Sequence, residues 1–262
     1  MSEEKLGGEK AILEERRKKL ENLREKGIAY TNSFRPNNTA NEIHQLHGEL
    51  SKEDLVKKNI KNISIAGRIV LKRVMGNASF ATLRDASGDI QIYVTKNNVD
   101  ESVYNDFKTW DLGDIVGVSG SLFRTNTDEL TIEAWDLEMI TKSLRPMPEK
   151  FKGLVDVEIK YRQRYLDLMS SPESKEVFEN RSRIVSSVRS TMLEDGFLEV
   201  ETPMMHSIPG GAVARPFVTQ HNALDRKLFL RIATELHLKR LLIGGFEKVF
   251  EINRSFRNEG LS

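Results

Sequence analysis

The sequence predicts an α+β protein in two blocks, and three observations predict it. The chain has 262 residues, enough for two domains at roughly 100–200 residues each. Six of its seven prolines lie at or after Pro146 and none between Asn37 and Arg145, so the run LRPMPEKFKG reads as a junction. Between residues 61 and 143 the hydrophobic pattern gives three strands, a helix and two more strands.

Taken in order, residues 9–26 read as a helix rich in Glu, Lys, Arg and Leu, with Gly27 as its C-cap. Leu13, Leu20 and Leu23 form a narrow apolar stripe, and Arg16, Arg17, Lys18 and Lys19 a basic cluster. Either the helix is solvated with i,i+4 pairs or it lies against a phosphate backbone. Residues 37–60 read as helix and loop, closing an N-terminal helical segment over 1–60. Ile63, Ile65, Ile69 and Leu71 alternate as a first strand, Ser79 to Asp85 forms a second, and Ile90, Ile92 and Val94 alternate with Gln91 and Tyr93 in a third. Glu101 to Trp110 is helix-like; Ile115 to Phe123 and Leu130 to Ile140 are strands around a turn at Thr125 to Asp128. This order suits a five-stranded OB-type barrel over 61–143, a fold that holds oligonucleotides on one face.

A linker over 144–160 leads to the second block, 161–262. Asp156 to Met169 reads as one helical stretch. A second helix starts near Ser171, with Pro172 in its first turn and Ser170/Glu173 as a capping box. Val177, Phe178, Ile184, Val185 and Val188 give it a buried stripe, and Gly196 ends it. Phe197 to Glu201 reads as a strand stopped by Pro203. A hairpin joins Pro216–Thr219 to Leu228–Ile232, Thr234 caps a helix over Glu235–Ile243, and Lys248 to Arg257 is a last strand.

Composition excludes several classes. There is no cysteine, hence no disulfide framework, thiolate zinc site or cysteine nucleophile. Lys+Arg 40 against Asp+Glu 39 gives a net charge of +1, so a basic surface must be local. The longest apolar-leaning stretch without a charge, Thr202 to Ala214, has 13 residues and is broken by prolines and glycines, too short for a membrane helix. The N-terminus has no secretory character, so the expectation is a cytoplasmic protein without membrane contact.

Two places can carry chemistry. Residues 61–84 hold five basic side chains (Lys61, Arg68, Lys72, Arg73, Arg84) and no acidic one, a local attraction for phosphate. Phe80, Tyr93 and Phe123 offer rings on which unpaired bases stack, and Gln91 can donate and accept; equally, these rings are ordinary rim or core aromatics. In the last strand, period 2 puts Phe250, Ile252 and Phe256 on one face and Glu251, Asn253, Ser255, Arg257 and Glu259 on the other. An arginine there can grip a carboxylate or phosphate and a glutamate can accept from an ammonium, or the face is simply solvated. Glu235 is either a helix N-terminal acid or an acceptor for a cationic substrate, and Gly210-Gly211 either a turn or a place for close backbone approach. No metal-ligand spacing and no Walker loop is present.

These residues carry a resemblance. RSFRNEG (Arg254 to Gly260) resembles motif 2 of the class II aminoacyl-tRNA synthetases, and GFLEVETPMM (Gly196 to Met205) resembles motif 1. YRQRYLDLM, IPGGAVARPF, HNALD and LRIATELHLKRLLIGGFEKVFEI are similar to the lysyl-tRNA synthetase family within that class, over residues 9–262. The resemblance implies an anticodon-reading OB barrel followed by an antiparallel sheet flanked by helices that activates the amino acid. It implies L-lysine, ATP and tRNA(Lys) as substrates, Mg2+ held by residues beyond this chain, and a homodimer through motif 1. By the same resemblance Arg257 and Glu259 are catalytic and bind ATP; Gly211, Glu235 and Arg257 receive lysine; and Phe80, Gln91, Glu129 and Arg68 meet the anticodon. It implies further that Ser262 falls inside the motif 2 loop, so that the chain is the N-terminal half of a longer ligase and inactive alone. The alternatives are a stand-alone OB-type RNA-binding protein and an aspartyl or asparaginyl ligase.

Overall fold

The computed structural model describes residues 3–148, 154 and 156–260, with side-chain surroundings from residue 8 onward. The chain divides into two compact units, Met1–Val155 and Asp156–Ser262.

In the first unit, α1 (Glu3–Glu25) ends where Gly27 takes φ +71° and the Ile28 N–H reaches back to the Leu23 carbonyl at 3.0 Å, satisfying a terminal acceptor. Then come α2 (Ala40–His47) and α3 (Lys52–Lys58), each started by a capping box, from Thr39 and Ser51. Five strands follow: β1 (Ile63–Met75), β2 (Ala78–Arg84), β3 (Asp89–Thr95), β4 (Ile115–Arg124) and β5 (Leu130–Thr141), with α4 (Glu101–Thr109) between β3 and β4. They close into a barrel in the order β1-β2-β3-β5-β4, the β3–β5 pair parallel and the others antiparallel. Closure leaves no free sheet edge.

The interior is filled by the predicted alternation: Ile65, Ile69, Leu83, Ile90, Ile92, Val94, Val116 and Ile132 are buried. One expectation fails. A register shift between Ile69 and Leu71 puts one extra residue into β1, so Leu71 faces solvent. Among the described residues the N-terminal helical segment has no separate core: Leu23, Ala40, Ile43 and Leu55 share the barrel's. The basic cluster of α1 is partly spent inside this unit. Arg16 is buried and donates to the Ser143 and Arg145 carbonyls, and Lys19 to Asp111 at 2.9 Å.

The expected linker over 144–160 is cut short by α5, which starts at Val157; residues 149–153 and 155 lie outside the described residues. The second unit departs further from expectation. Asp156 to Met169 is two helices, α5 (Val157–Arg162) and α6 (Arg164–Ser170), broken where Gln163 leaves helical geometry. The cap of α7 (Pro172–Glu194) is Ser171, accepting from the Ser174 N–H, and not Ser170. Its apolar stripe is not buried: Val177, Phe178, Ile184 and Val188 are exposed and Val185 is half-buried.

The strands here are short. β6 (Leu198–Glu199) runs parallel to β10 (Val249–Phe250), so the long strands expected over 197–201 and 248–257 shrink to two residues each. β7 (Met205–His206), β8 (Val218–His221) and β9 (Arg226–Leu230) form an antiparallel sheet in the order β7-β9-β8, and α8 (Glu235–Ile243) follows. Beyond Phe250 the chain has no regular structure as far as Gly260. Strict period 2 therefore does not apply there: Ile252 is exposed and Glu251 turns inward. Among the described residues no helix is long and apolar enough to cross a membrane.

Candidate functional site

On the barrel, inward alternation of the apolar residues forces Phe80, Gln91, Tyr93 and Phe123 onto the outer face. The register aligns them: Phe80 opposes Tyr93, and Thr82 opposes Gln91. Ring centroids of Phe80 and Tyr93 stand 4.7 Å apart and those of Tyr93 and Phe123 5.7 Å, an aromatic row across three strands. Beside it runs a groove of about 540 Å³ lined by Leu71, Arg73, Phe80, Gln91 and the 125–127 turn. Glu129 lies just past that turn with an exposed side chain.

The five basic side chains do not act as one patch. Lys72 donates to the Phe107, Lys108 and Trp110 carbonyls at 2.6–3.1 Å and serves as the C-terminal anchor of α4; burial pulls its amine down to about 8 against the charges of Asp111 and Asp114. Arg84 pairs with Asp89 at 2.6 Å. Arg68 donates to the Gly113 carbonyl at 2.7 Å, level with Arg84 and set apart from the Phe80 row. Lys61 and Arg73 are exposed.

In the second unit, one loop joins the candidate residues. At Gly211, φ is +89°, and an added Cβ would lie 3.2 Å from the Ala233 Cβ and 3.4 Å from the Glu235 Cβ. Glycine is thus favoured by its positive φ, and its lack of a side chain leaves the backbone close to the first turn of α8. Farther along the same loop, Arg215 accepts from the Asn258 N–H at 2.7 Å, and its own N–H donates to Glu259 Oε1 at 3.3 Å. The loop therefore passes close to Glu235 at Gly211 and is hydrogen-bonded to the 258–259 segment at Arg215. Glu235 holds Lys239 at 2.6 Å in an exposed i,i+4 pair. Arg257 is exposed, with no hydrogen bond or ion pair to another described residue.

Beneath this segment lies a network that the sequence pattern hides. The Arg231 side chain is 3% exposed and that of Glu251 is 4%, and they meet at 2.6 Å. Arg231 also donates to the Thr202 carbonyl and the Arg254 carbonyl, and its own carbonyl accepts from the Phe256 N–H at 2.9 Å. Thr202 Oγ1 completes the set by donating to Glu251 Oε2 at 2.7 Å. The only signal for it was a charge inside each of two apolar runs, LFLRIA and VFEI. Thr234, expected to cap α8, instead accepts from Asn253 Nδ2 at 3.3 Å.

Comparison with known proteins follows these divisions. A family model described as OB-fold nucleic acid binding domain matches residues 63–140, and one described as tRNA synthetases class II (D, K and N) matches 156–262. Proteins called lysine–tRNA ligase are similar to the chain over 254 residues: 58% identical in Chromobacterium violaceum, 59% in Dechloromonas aromatica and 58% in Azoarcus sp.. Each match covers 97% of this chain and 50%, 50% and 51% of the respective relative, so the chain spans about half the length of the curated relatives it matches. With both of its units matched in this way, the chain belongs to the class II tRNA synthetase family of the D, K and N type.

Proposed function

We propose that the chain carries the anticodon-binding domain and the first part of the catalytic domain of a cytoplasmic lysine–tRNA ligase. The observation that supports this reading is the loop that passes Glu235 at Gly211 and hydrogen-bonds Glu259 at Arg215, because it links candidates for amino-acid and ATP binding that lie far apart in sequence. The reaction has two steps. The lysine carboxylate attacks the α-phosphorus of ATP, forming lysyl-adenylate and releasing pyrophosphate; the terminal 3′-hydroxyl of tRNA(Lys) then takes the lysyl group and AMP leaves.

Arg257 bridges the carboxylate and an α-phosphate oxygen, aligning nucleophile and phosphorus and offsetting the charge that develops between them. Glu235 receives the lysine α-ammonium beside the open backbone of Gly211, giving up an exposed Lys239 contact that is cheap to break. Glu259 lies next to Arg257 for the ATP and the substrate amino group. On the barrel, Phe80 stacks on an anticodon base, Gln91 and Glu129 hydrogen-bond base edges, and Arg68 adds charge. The exposed apolar face of α7 supports a homodimer, since a second copy would cover Val177, Phe178, Ile184 and Val188. Mg2+ would come with the phosphates of ATP, which themselves supply part of its oxygen shell; no step here runs through it.

The test uses a chain of the full length of the relatives. Arg257→Ala abolishes lysine-dependent ATP–pyrophosphate exchange and leaves binding of an anticodon stem-loop intact. Loss of both together, or exchange driven by aspartate or asparagine in place of lysine, overturns the assignment. The 262-residue chain is expected to bind the stem-loop without catalysing exchange.

A further inference from the structure

Gln91 lines the groove from β3, and Thr131 lies opposite it on the parallel strand β5. Thr131 is fully buried although polar, between the core residues Leu130 and Ile132. Its hydroxyl makes two bonds: it accepts from Gln91 Nε2 at 2.9 Å and donates to the Glu129 carbonyl at 3.1 Å. That carbonyl also accepts from the Thr125 N–H at 3.1 Å, so the β4–β5 turn holds it in place. A carbonyl oxygen can only accept. The Thr131 proton therefore points at Glu129, and the Thr131 oxygen is left to accept. Gln91 must turn Nε2, and not Oε1, toward it. A flipped amide would forfeit one of the two bonds, and no solvent reaches the buried hydroxyl to replace it.

A primary amide has two N–H groups. With one of them committed to Thr131, the other N–H and Oε1 are left to face a base, in an order that the Thr131 bond fixes. Uracil and cytosine share one shape but carry opposite orders on their pairing edges: N3–H and O4 against N3 and N4–H. A pyrimidine read by Gln91 is therefore discriminated by the direction of the amide, and the side-chain torsion of a lone glutamine does not hold that direction. We infer that Thr131 is a specificity-setting positioning residue: its hydroxyl fixes the Gln91 amide so that the groove prefers uridine to cytidine. The inference rests on the reading of Phe80 and Gln91 as base contacts given above.

The experiment measures binding of the 262-residue chain to four RNA stem-loops, one with UUU at the anticodon and three with a single U replaced by C. The wild type binds one of the three about tenfold more weakly, at the position Gln91 reads. Thr131→Val keeps the shape and removes the hydroxyl. It brings that ratio within about twofold while affinity for the UUU loop stays near wild type, and Thr131→Ser restores the ratio. A Thr131→Val protein that keeps the full ratio, or weakens all four loops equally, overturns the inference. Gln91→Ala separates the two levels. If it loses the discrimination and Thr131→Val keeps it, only the role of Thr131 falls; if neither changes it, or the wild type shows none, the reading of Gln91 falls as well.

Discussion

The barrel and the second unit are similar in sequence character yet bury their apolar residues very differently. In the barrel, side chains from all five strands and from α1, α2, α3 and α4 meet in one core, and a closed sheet has no edge to protect. Among the described residues of the second unit, the buried apolar side chains are Ile232 and Phe250, and α7 runs 23 residues without a buried one. Its two sheets have two and three strands, a size that is marginal without further packing. The contrast teaches where each unit's order comes from. The barrel is held by area removed from water, whereas the segment that presents Arg257 is held by a polar network centred on Arg231.

The comparison breaks most visibly at that network. Arg231→Met leaves the Glu251 carboxylate buried and unpaired, and a loss of about 3–5 kcal/mol is expected. Amide exchange at Phe256 and Asn258 should then approach that of free chain; protection that survives would mean the segment is held by something other than Arg231. Next in size, Ile92→Ala in the barrel is expected to cost about 2–5 kcal/mol in denaturant unfolding. Ile184→Ala, on the face of α7 that is exposed within a single chain, should cost within about 0.5 kcal/mol when measured at a concentration where the protein is monomeric. Equal losses would erase the distinction between the units.

Legibility followed the same division. Barrel strands could be read because each buries one face on a common core, which imposes period 2 on Ile90, Ile92 and Val94; the bulge that turned Leu71 outward and the register shifts between β4 and β5 escaped, since one extra residue leaves no compositional trace. In the second unit, the same reasoning assumed that an apolar stripe is a buried stripe. It placed Val177 and Phe178 inside and ran a strand through Ile252, where the structure exposes all three. Of the candidate site, Gly211 beside Glu235 was legible through motif resemblance, whereas Arg231, Glu251 and Thr131 were not. Their importance lies in hydrogen-bond direction and burial across 20 to 40 positions of sequence, which no local pattern encodes.

The outer face of the barrel offers an intermediate test. Phe80→Ala removes a half-exposed ring, so fold stability should hardly change while affinity for an anticodon stem-loop falls by about 1–3 kcal/mol. Unchanged affinity would return Phe80 to the role of an ordinary rim aromatic. Smaller again is the acid response. Burial pushes the Asp111 carboxyl up, but hydrogen bonds from Lys142 and Lys19 outweigh it and hold it below the ordinary value of 3.8. Near that value the unfolded chain then binds more protons than the folded one. The stabilisation is complete above it and is lost as pH falls through the folded value. Acid unfolding followed at amides of α4 and β4 should therefore shift to higher pH in Lys142→Met. An unshifted midpoint would show that the pairing contributes nothing to the barrel unit.

The smallest effect concerns the exposed pair at the start of α8. Glu235 and Lys239 are both half exposed or more, so solvent screens them and the contact is worth about 0.2–0.5 kcal/mol. Lys239→Ala should leave unfolding within that range. In a full-length ligase it should also lower the KM for lysine by no more than about twofold, because the α-ammonium no longer displaces a weak rival from Glu235. A tenfold change would require the Glu235 carboxylate to be shielded from water when lysine binds. That result would move this corner of the second unit from a surface held by polar contacts to an interior like that of the barrel.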